Sequence, residues 1–184
     1  MRAVKGNRII RAVGESAAAF VSRRIRELEP KELVPEFLAK GLGALVPIPR
    51  SGLQKPGALW PGLEIATALQ HEGLGRVATC LLRRSAVSKA ATSPGNRPKA
   101  KDHFDSLDLD RIELPSRITL VDDIVTRGAQ MFGAAWRIWA ERPDVEILGF
   151  AVIRTISTPE RFESVLAPCV GRIEWRNDEC FRVP

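Results

Sequence analysis

Ile118-Thr119-Leu120-Val121-Asp122-Asp123-Ile124-Val125-Thr126-Arg127-Gly128-Ala129-Gln130 joins a short apolar run to a small polar turn, with two adjacent acids between them. Ile118, Leu120 and Val121 are branched and apolar, the composition of a strand buried on both faces of a parallel sheet. The expected strand covers residues 118–121 and leaves Asp122 and Asp123 at its carboxyl end. Thr126, Arg127, Gly128 and Ala129 then turn the chain. Met131, Phe132, Ala135, Trp136 and Trp139 recur at helical spacing as far as Arg142, where Pro143 stops the pattern. Strand, loop and helix follow one another as in a βαβ unit.

A helix N-terminus has unpaired backbone N–H groups and partial positive charge. The turn over residues 126 to 130 therefore suits a phosphate dianion, and Gly128 lets the backbone approach it closely. Beside that phosphate, Asp122 and Asp123 can accept hydrogen bonds from vicinal hydroxyls and influence a Mg²⁺ ion indirectly, through ribose or water. A 5-phosphorylated ribose matches this layout. The plainer reading is a strand-to-helix connection whose acids cap the helix. Clustered carboxylates are costly without a task, which favours the ligand.

Working outward, 184 residues with 45% hydrophobic content fit one domain with a sizeable core. Cys80, Cys169 and Cys180 have no Cys-x-x-Cys spacing, so neither a disulfide framework nor a zinc ribbon is indicated, and buried thiols of a cytoplasmic protein are expected. The apolar stretch Ala17 to Val21 is too short for a signal peptide or a membrane span. A net charge of +6 attracts polyanions. A pyrophosphorylated sugar is the favoured partner and nucleic acid the second choice. Arg23, Arg24 and Arg26 read as a solvated helix face.

Residues 11 to 38 read as mostly helical, with Phe20, Ile25 and Leu28 pointing inward, and residues 1–43 as a hood. Residues 44–156 form the core and 157–184 a last strand and tail. Strands are expected over residues 44–48, 77–82, 146–153 and 169–175, and a helix over 63–69. Crossovers between such strands make the sheet parallel, with ligands beyond the carboxyl ends of its strands. Residues 49–52, 83–105 and 122–130 all fall on that edge. The middle one is long and polar enough to act as a lid.

The acid-pair stretch resembles the signature of the type I phosphoribosyltransferases, which bind 5-phosphoribosyl-1-pyrophosphate (PRPP). The resemblance implies an α/β fold, a parallel sheet flanked by helices with a small hood. It also implies Mg²⁺ as cofactor, a nucleobase-like nitrogen acceptor, and dimerisation. It makes Asp122, Asp123 and Arg50 the catalytic residues, and residues Thr126, Arg127, Gly128, Ala129 and Gln130 the 5-phosphate loop. Pro49-Arg50-Ser51-Gly52 resembles the family's pyrophosphate loop, so Arg50, Ser51 and Gly52 would meet the leaving group. Ser88, Lys89, Arg97 and Lys101 are the flexible-loop candidates, while His103 and Phe104 anchor that loop.

Thr126 stands where 6-oxopurine enzymes carry an acid, which disfavours hypoxanthine or guanine. Arg127 is shared with the amidophosphoribosyltransferases, but this chain has no cysteine before Cys80 to serve their glutaminase. Gln130 replaces a Thr or Ser, losing a hydroxyl contact to the phosphate. The order of motifs over residues 44 to 156 is most similar to the ComF-like branch, without its zinc ribbon. Trp175 and Phe181 read first as core residues and second as rings that stack on a base; Phe150, Arg154 and Thr155 are further base contacts. Two classes follow, a transferase and a non-catalytic protein, either a PRPP- or nucleotide-sensing regulator of a nucleic acid or protein partner that has kept the site or a ComF-like protein associated with DNA, and turnover against ligand-dependent binding separates them.

Overall fold

The computed structural model describes residues 2–28, 34, 38, 43–87, 97–110, 112–155 and 168–183. Four strands make the central sheet: β3 (Ala44–Pro47), β4 (Arg76–Val77), β7 (Arg117–Val125) and β8 (Glu146–Arg154). Their order is β4-β3-β7-β8, and every pairing is parallel. Val46, Ile118 and Leu120 are sealed on both sides, which is why this stretch reads as continuous apolar sequence rather than an alternation.

Helices cover both faces. Helix α3 (Pro61–His71) follows β3 and puts Ile65, Ala66 and Leu69 on one face, beside Leu45 and Val121. Helix α5 (Ala129–Glu141) follows β7 and puts Met131, Ala134 and Ile138 on the other, beside Ile118 and Leu120. The chain thus winds one way from β3 to β4 and the other way from β7 to β8, so the sheet has a switch point between β3 and β7. At Gly62 a Cβ would sit 2.8 Å from the Val121 carbonyl oxygen, so only glycine lets α3 approach the ends of β3 and β7 this closely.

The N-terminal segment departs from its mostly helical reading. Helix α1 (Arg2–Lys5) and a ribbon of β1 (Ile9–Ile10) and β2 (Glu15–Ser16) precede α2 (Ala17–Arg26). Ser16 caps α2 by accepting the Ala19 N–H at 3.2 Å. Ala18 and Ile25 pack with the α3 residues, while Phe20 and Leu28 are only half-buried. Arg23 and Arg24 are solvated and pair with Glu15 and Glu27, as a polar helix face requires.

The expected strand over residues 77–82 splits in two. After β4 the chain leaves the sheet, and β5 (Leu81–Arg83) pairs antiparallel with β6 (Leu107–Leu109). Helix α4 (Ala100–Asp105) lies between them, so the end of the expected loop over 83–105 is helical. The last expected strand is half of a hairpin, β9 (Arg172–Arg176) with β10 (Glu179–Val183), which turns on Asn177 and Asp178 at φ 50° and 63°. This hairpin rests on α5, with Trp175 5.2 Å from Trp136 and 6.0 Å from Phe132, ring centre to ring centre.

Trp175 and Phe181 are therefore not core residues, being 42% and 44% exposed. Phe132, Trp136, Trp139 and Trp175 instead line an apolar groove of about 480 Å³ with Ala135, Val145 and Ile147. Cys80 and Cys180 are buried thiols, but Cys169 is exposed. Among the described residues no helix is long and apolar enough to cross a membrane.

Candidate functional site

The carboxyl end of β3 lies beside the middle of β7, where the Ile48 N–H donates to the Val121 carbonyl at 2.9 Å, and β7 runs on to Val125. Residues 49–52 leave β3 at that level and the 126–130 turn leaves β7 four residues later, both on the carboxyl edge of the sheet next to the switch point.

In the first loop, four successive carbonyls are occupied by protein donors. The Ile48 oxygen accepts Trp60 Nε1 at 2.7 Å, the Pro49 oxygen Arg83 Nη2 at 3.0 Å, the Arg50 oxygen Arg83 Nε at 2.9 Å, and the Ser51 oxygen the Val87 N–H at 2.7 Å. The amides of Arg50, Ser51 and Gly52 have no acceptor among the described residues. Successive free amides whose carbonyls are tied elsewhere form a concave anion site. The Arg50 side chain is exposed and donates to the Leu59 carbonyl at 3.2 Å, leaving it at the rim of the loop.

Arg83 is the buried support of this loop. It is 8% exposed and, besides its two carbonyl contacts, donates through Nη1 to the Ser106 hydroxyl. Ser106 in turn donates to the His103 carbonyl at 2.8 Å. Burial pulls the Arg83 guanidinium down to about 10, against the opposing pull of the Asp122 charge. His103 beneath is 5% exposed, its Nδ1 has no partner among the described residues, and burial aided by the Arg83 charge pushes it down to about 4. It stays neutral and acts as packing, in keeping with an anchoring role.

The acids lie differently from their sequence reading. Strand β7 continues four residues past Val121, so Asp122 and Asp123 are inside it, with Asp122 opposite Ala151 of β8. Neighbouring strand positions face opposite sides. Asp122 lies on the α5 side with Leu120, and Asp123 on the side of Val121 and α3. The Asp122 carboxylate accepts the Asp123 N–H at 2.9 Å and Gln130 Nε2 at 3.2 Å. Burial holds the Asp122 carboxyl well above the usual range, the adjacent Asp123 charge adds to that, and Lys5 opposes it. Asp123 is half-buried.

In the second loop, Thr126 and Arg127 are exposed and Gly128 is buried at the N-cap of α5 with φ 92°. No side chain caps α5, so its first amides are open to an anion. A Cβ on Gly128 would lie 2.6 Å from the Ile173 side chain, so the C-terminal hairpin presses directly on this turn. Arg127 pairs with Glu179 of the same hairpin at 3.4 Å.

Of the flexible-loop candidates, Ser88 and Lys89 lie outside the described residues. Arg97 is exposed, whereas Lys101 sits on α4 and pairs with Asp105 at 2.6 Å, a place on a helix rather than in a loop. Sequence reasoning missed Arg83, Lys5 and the hold of Gln130 on Asp122. The signal for Arg83 was present: in Leu81-Leu82-Arg83 a period of two puts Arg83 on the buried side with Leu81, and the structure has them so.

Among the described residues no group of three or more His, Cys, Asp or Glu side chains could hold a metal. Asp122 and Asp123 are two carboxylates, one of them buried and engaged. They fit an Mg²⁺ ion borne by a ligand better than one caged by protein. No protein-family model and no curated protein matches this chain.

Proposed function

We propose that this chain is a type I phosphoribosyltransferase that moves the 5-phosphoribosyl group of PRPP to a nitrogen acceptor and releases pyrophosphate. One observation carries the reading: a row of free amides over Arg50, Ser51 and Gly52 and the uncapped N-terminus of α5 share the carboxyl edge of the sheet, with the acid pair on β7, the strand that leads into α5. Two anion sites flanking carboxylates match a sugar phosphorylated at both ends. The strand order, with its switch point between β3 and β7, supports this reading.

In the reaction, the C1–oxygen bond to pyrophosphate breaks and a C1–nitrogen bond forms, the acceptor nitrogen losing its proton to solvent. Charge separation is the main barrier. The 126–130 turn holds the 5-phosphate, and the 50–52 amides with the Arg50 side chain take up negative charge on the departing pyrophosphate. Asp123, with Asp122 behind it, accepts from the ribose hydroxyls and favours positive charge growing on the ring. Asp122 and Asp123 would hold Mg²⁺ indirectly, through ribose or water, and the ion would supply further neutralisation of the leaving group's charge.

A second reading, a sensor that binds PRPP without turnover, draws on Asp122. Its carboxylate is already engaged by Gln130 and the Asp123 amide, and burial disfavours its ionised form. Thermal stabilisation by PRPP with Mg²⁺ tests the shared site. At a ligand concentration of about 100 Kd the folded state gains roughly 2.7 kcal/mol, a gain that Asp122→Asn/Asp123→Asn should remove. Pyrophosphate release on adding nitrogen acceptors then separates enzyme from sensor. A wild-type chain unmoved by millimolar PRPP rejects both.

A further inference from the structure

We infer that Arg83 is the positioning residue of the pyrophosphate loop: its buried guanidinium holds the Pro49 and Arg50 carbonyls inward, so that the Arg50 and Ser51 amides face the anion beside that of Gly52. This rests on the proposed function for the identity of the anion, though not for the geometry of the loop.

A peptide unit carries its N–H and C=O on opposite sides, so fixing a carbonyl inward turns the amide of the next residue outward. Arg83 holds two consecutive carbonyls, at 3.0 and 2.9 Å, and thereby fixes the amides of Arg50 and Ser51. Its third contact, to the Ser106 hydroxyl, ties the guanidinium to the β5–β6 ribbon. The planar fork of arginine makes this possible, because Nε and Nη2 donate along fixed, nearly parallel directions. Lysine has the charge but not the fork.

The charge has a second effect. Among the described residues no carboxylate lies within ion-pair distance of Arg83, whose three contacts are all neutral acceptors. A buried cation without an ion-pair partner, offset only by the charge of Asp122 beyond that distance, is electrostatically incomplete. An anion seated on the amides directly above supplies the missing countercharge, while the guanidinium itself stays below the loop. Arg83 therefore acts through the backbone and through its field, without touching the ligand.

The test compares two probes on the full chain by titration calorimetry, inorganic pyrophosphate for the 49–52 loop and ribose 5-phosphate for the 126–130 turn. In Arg83→Lys, pyrophosphate affinity should fall by about tenfold or more, the loss of one charge-assisted hydrogen bond. Ribose 5-phosphate affinity should be unchanged. Equal pyrophosphate affinity in a folded Arg83→Lys overturns the inference, and so does a parallel loss of both affinities, which marks general damage. Should the variant not fold, the wild type suffices. Its Arg83 Nε–H signal, locked onto the Arg50 carbonyl, should exchange slowly with solvent and shift on adding pyrophosphate together with the Ser51 and Gly52 amides. A fast-exchanging, unshifted Arg83 signal overturns the inference. A wild type that binds pyrophosphate but not ribose 5-phosphate leaves Arg83 in its role and removes the phosphoribosyl reading instead; one that binds neither overturns both.

Discussion

Burial of Asp122 makes its ionisation costly, and that cost is measurable as a dependence of stability on pH. A carboxyl whose pKa is raised on folding binds its proton more tightly in the native state. Its contribution is fully present below the ordinary carboxyl range and is lost as pH rises through the raised value. Asp122→Asn removes the titration while keeping a polar side chain beside Gln130. The variant should therefore melt higher than wild type near pH 8 and match it near pH 4, even as PRPP binding is lost; melting curves at the two values check this. His103 has the opposite sense. With its folded value near 4, the native state excludes a proton that the unfolded chain accepts below about 6.5, so stability falls as pH drops through that window. The full shift corresponds to about 3 kcal/mol. His103→Leu should flatten acid unfolding between those pH values, and an unchanged acid limb would show that other groups govern it.

At the scale of elements, the turn at Gly128 depends on a neighbour far away in sequence. Gly128→Ala meets two penalties, a φ of 92° that costs an L-residue roughly 1–2 kcal/mol and a clash with Ile173. Denaturant unfolding should show at least the first cost. The displaced hairpin should also weaken ribose 5-phosphate binding and leave pyrophosphate binding intact. What the sequence disclosed about these elements follows from how local each signal is. The apolar run at Ile118 and the helical spacing from Met131 to Trp139 identify β7 and α5, because burial imposes those patterns directly. The end of β7 was read too early, since its acids look like loop residues and only the pairing with β8 carries the strand through them. Phe132, Trp136 and Trp139 share that spacing without lying in the core. The helix has two apolar faces, and the second faces the hairpin and its groove rather than the core. Asn177-Asp178 was a readable hairpin turn that went unread. The role of Arg83 is not local, because its three acceptors come from residues 23 to 34 positions away.

For the molecule as a whole, the net charge of +6 sets how anions arrive rather than how it folds. Long-range attraction is screened within about 8 Å at physiological ionic strength. Raising salt from about 20 to about 200 mM should therefore slow pyrophosphate association more than its dissociation, a split that stopped-flow measurements resolve. A chain in which both rates respond equally would owe its affinity to contact ions alone. The parallel sheet and its helices were legible from the alternation of strands and helices, whereas the departure of β5 from the sheet was not, because nothing local distinguishes it from a continuing strand. The stitch between the Ile48 amide and the Val121 carbonyl has a last effect. It ties the root of the 49–52 loop to the middle of β7 one strand spacing away, about 4.8 Å, four residues before the 126–130 turn leaves that strand. Four strand residues rise about 13 Å, so the two cradles are held a fixed span apart, and a donor phosphorylated at both ends should bind more tightly than pyrophosphate or ribose 5-phosphate alone.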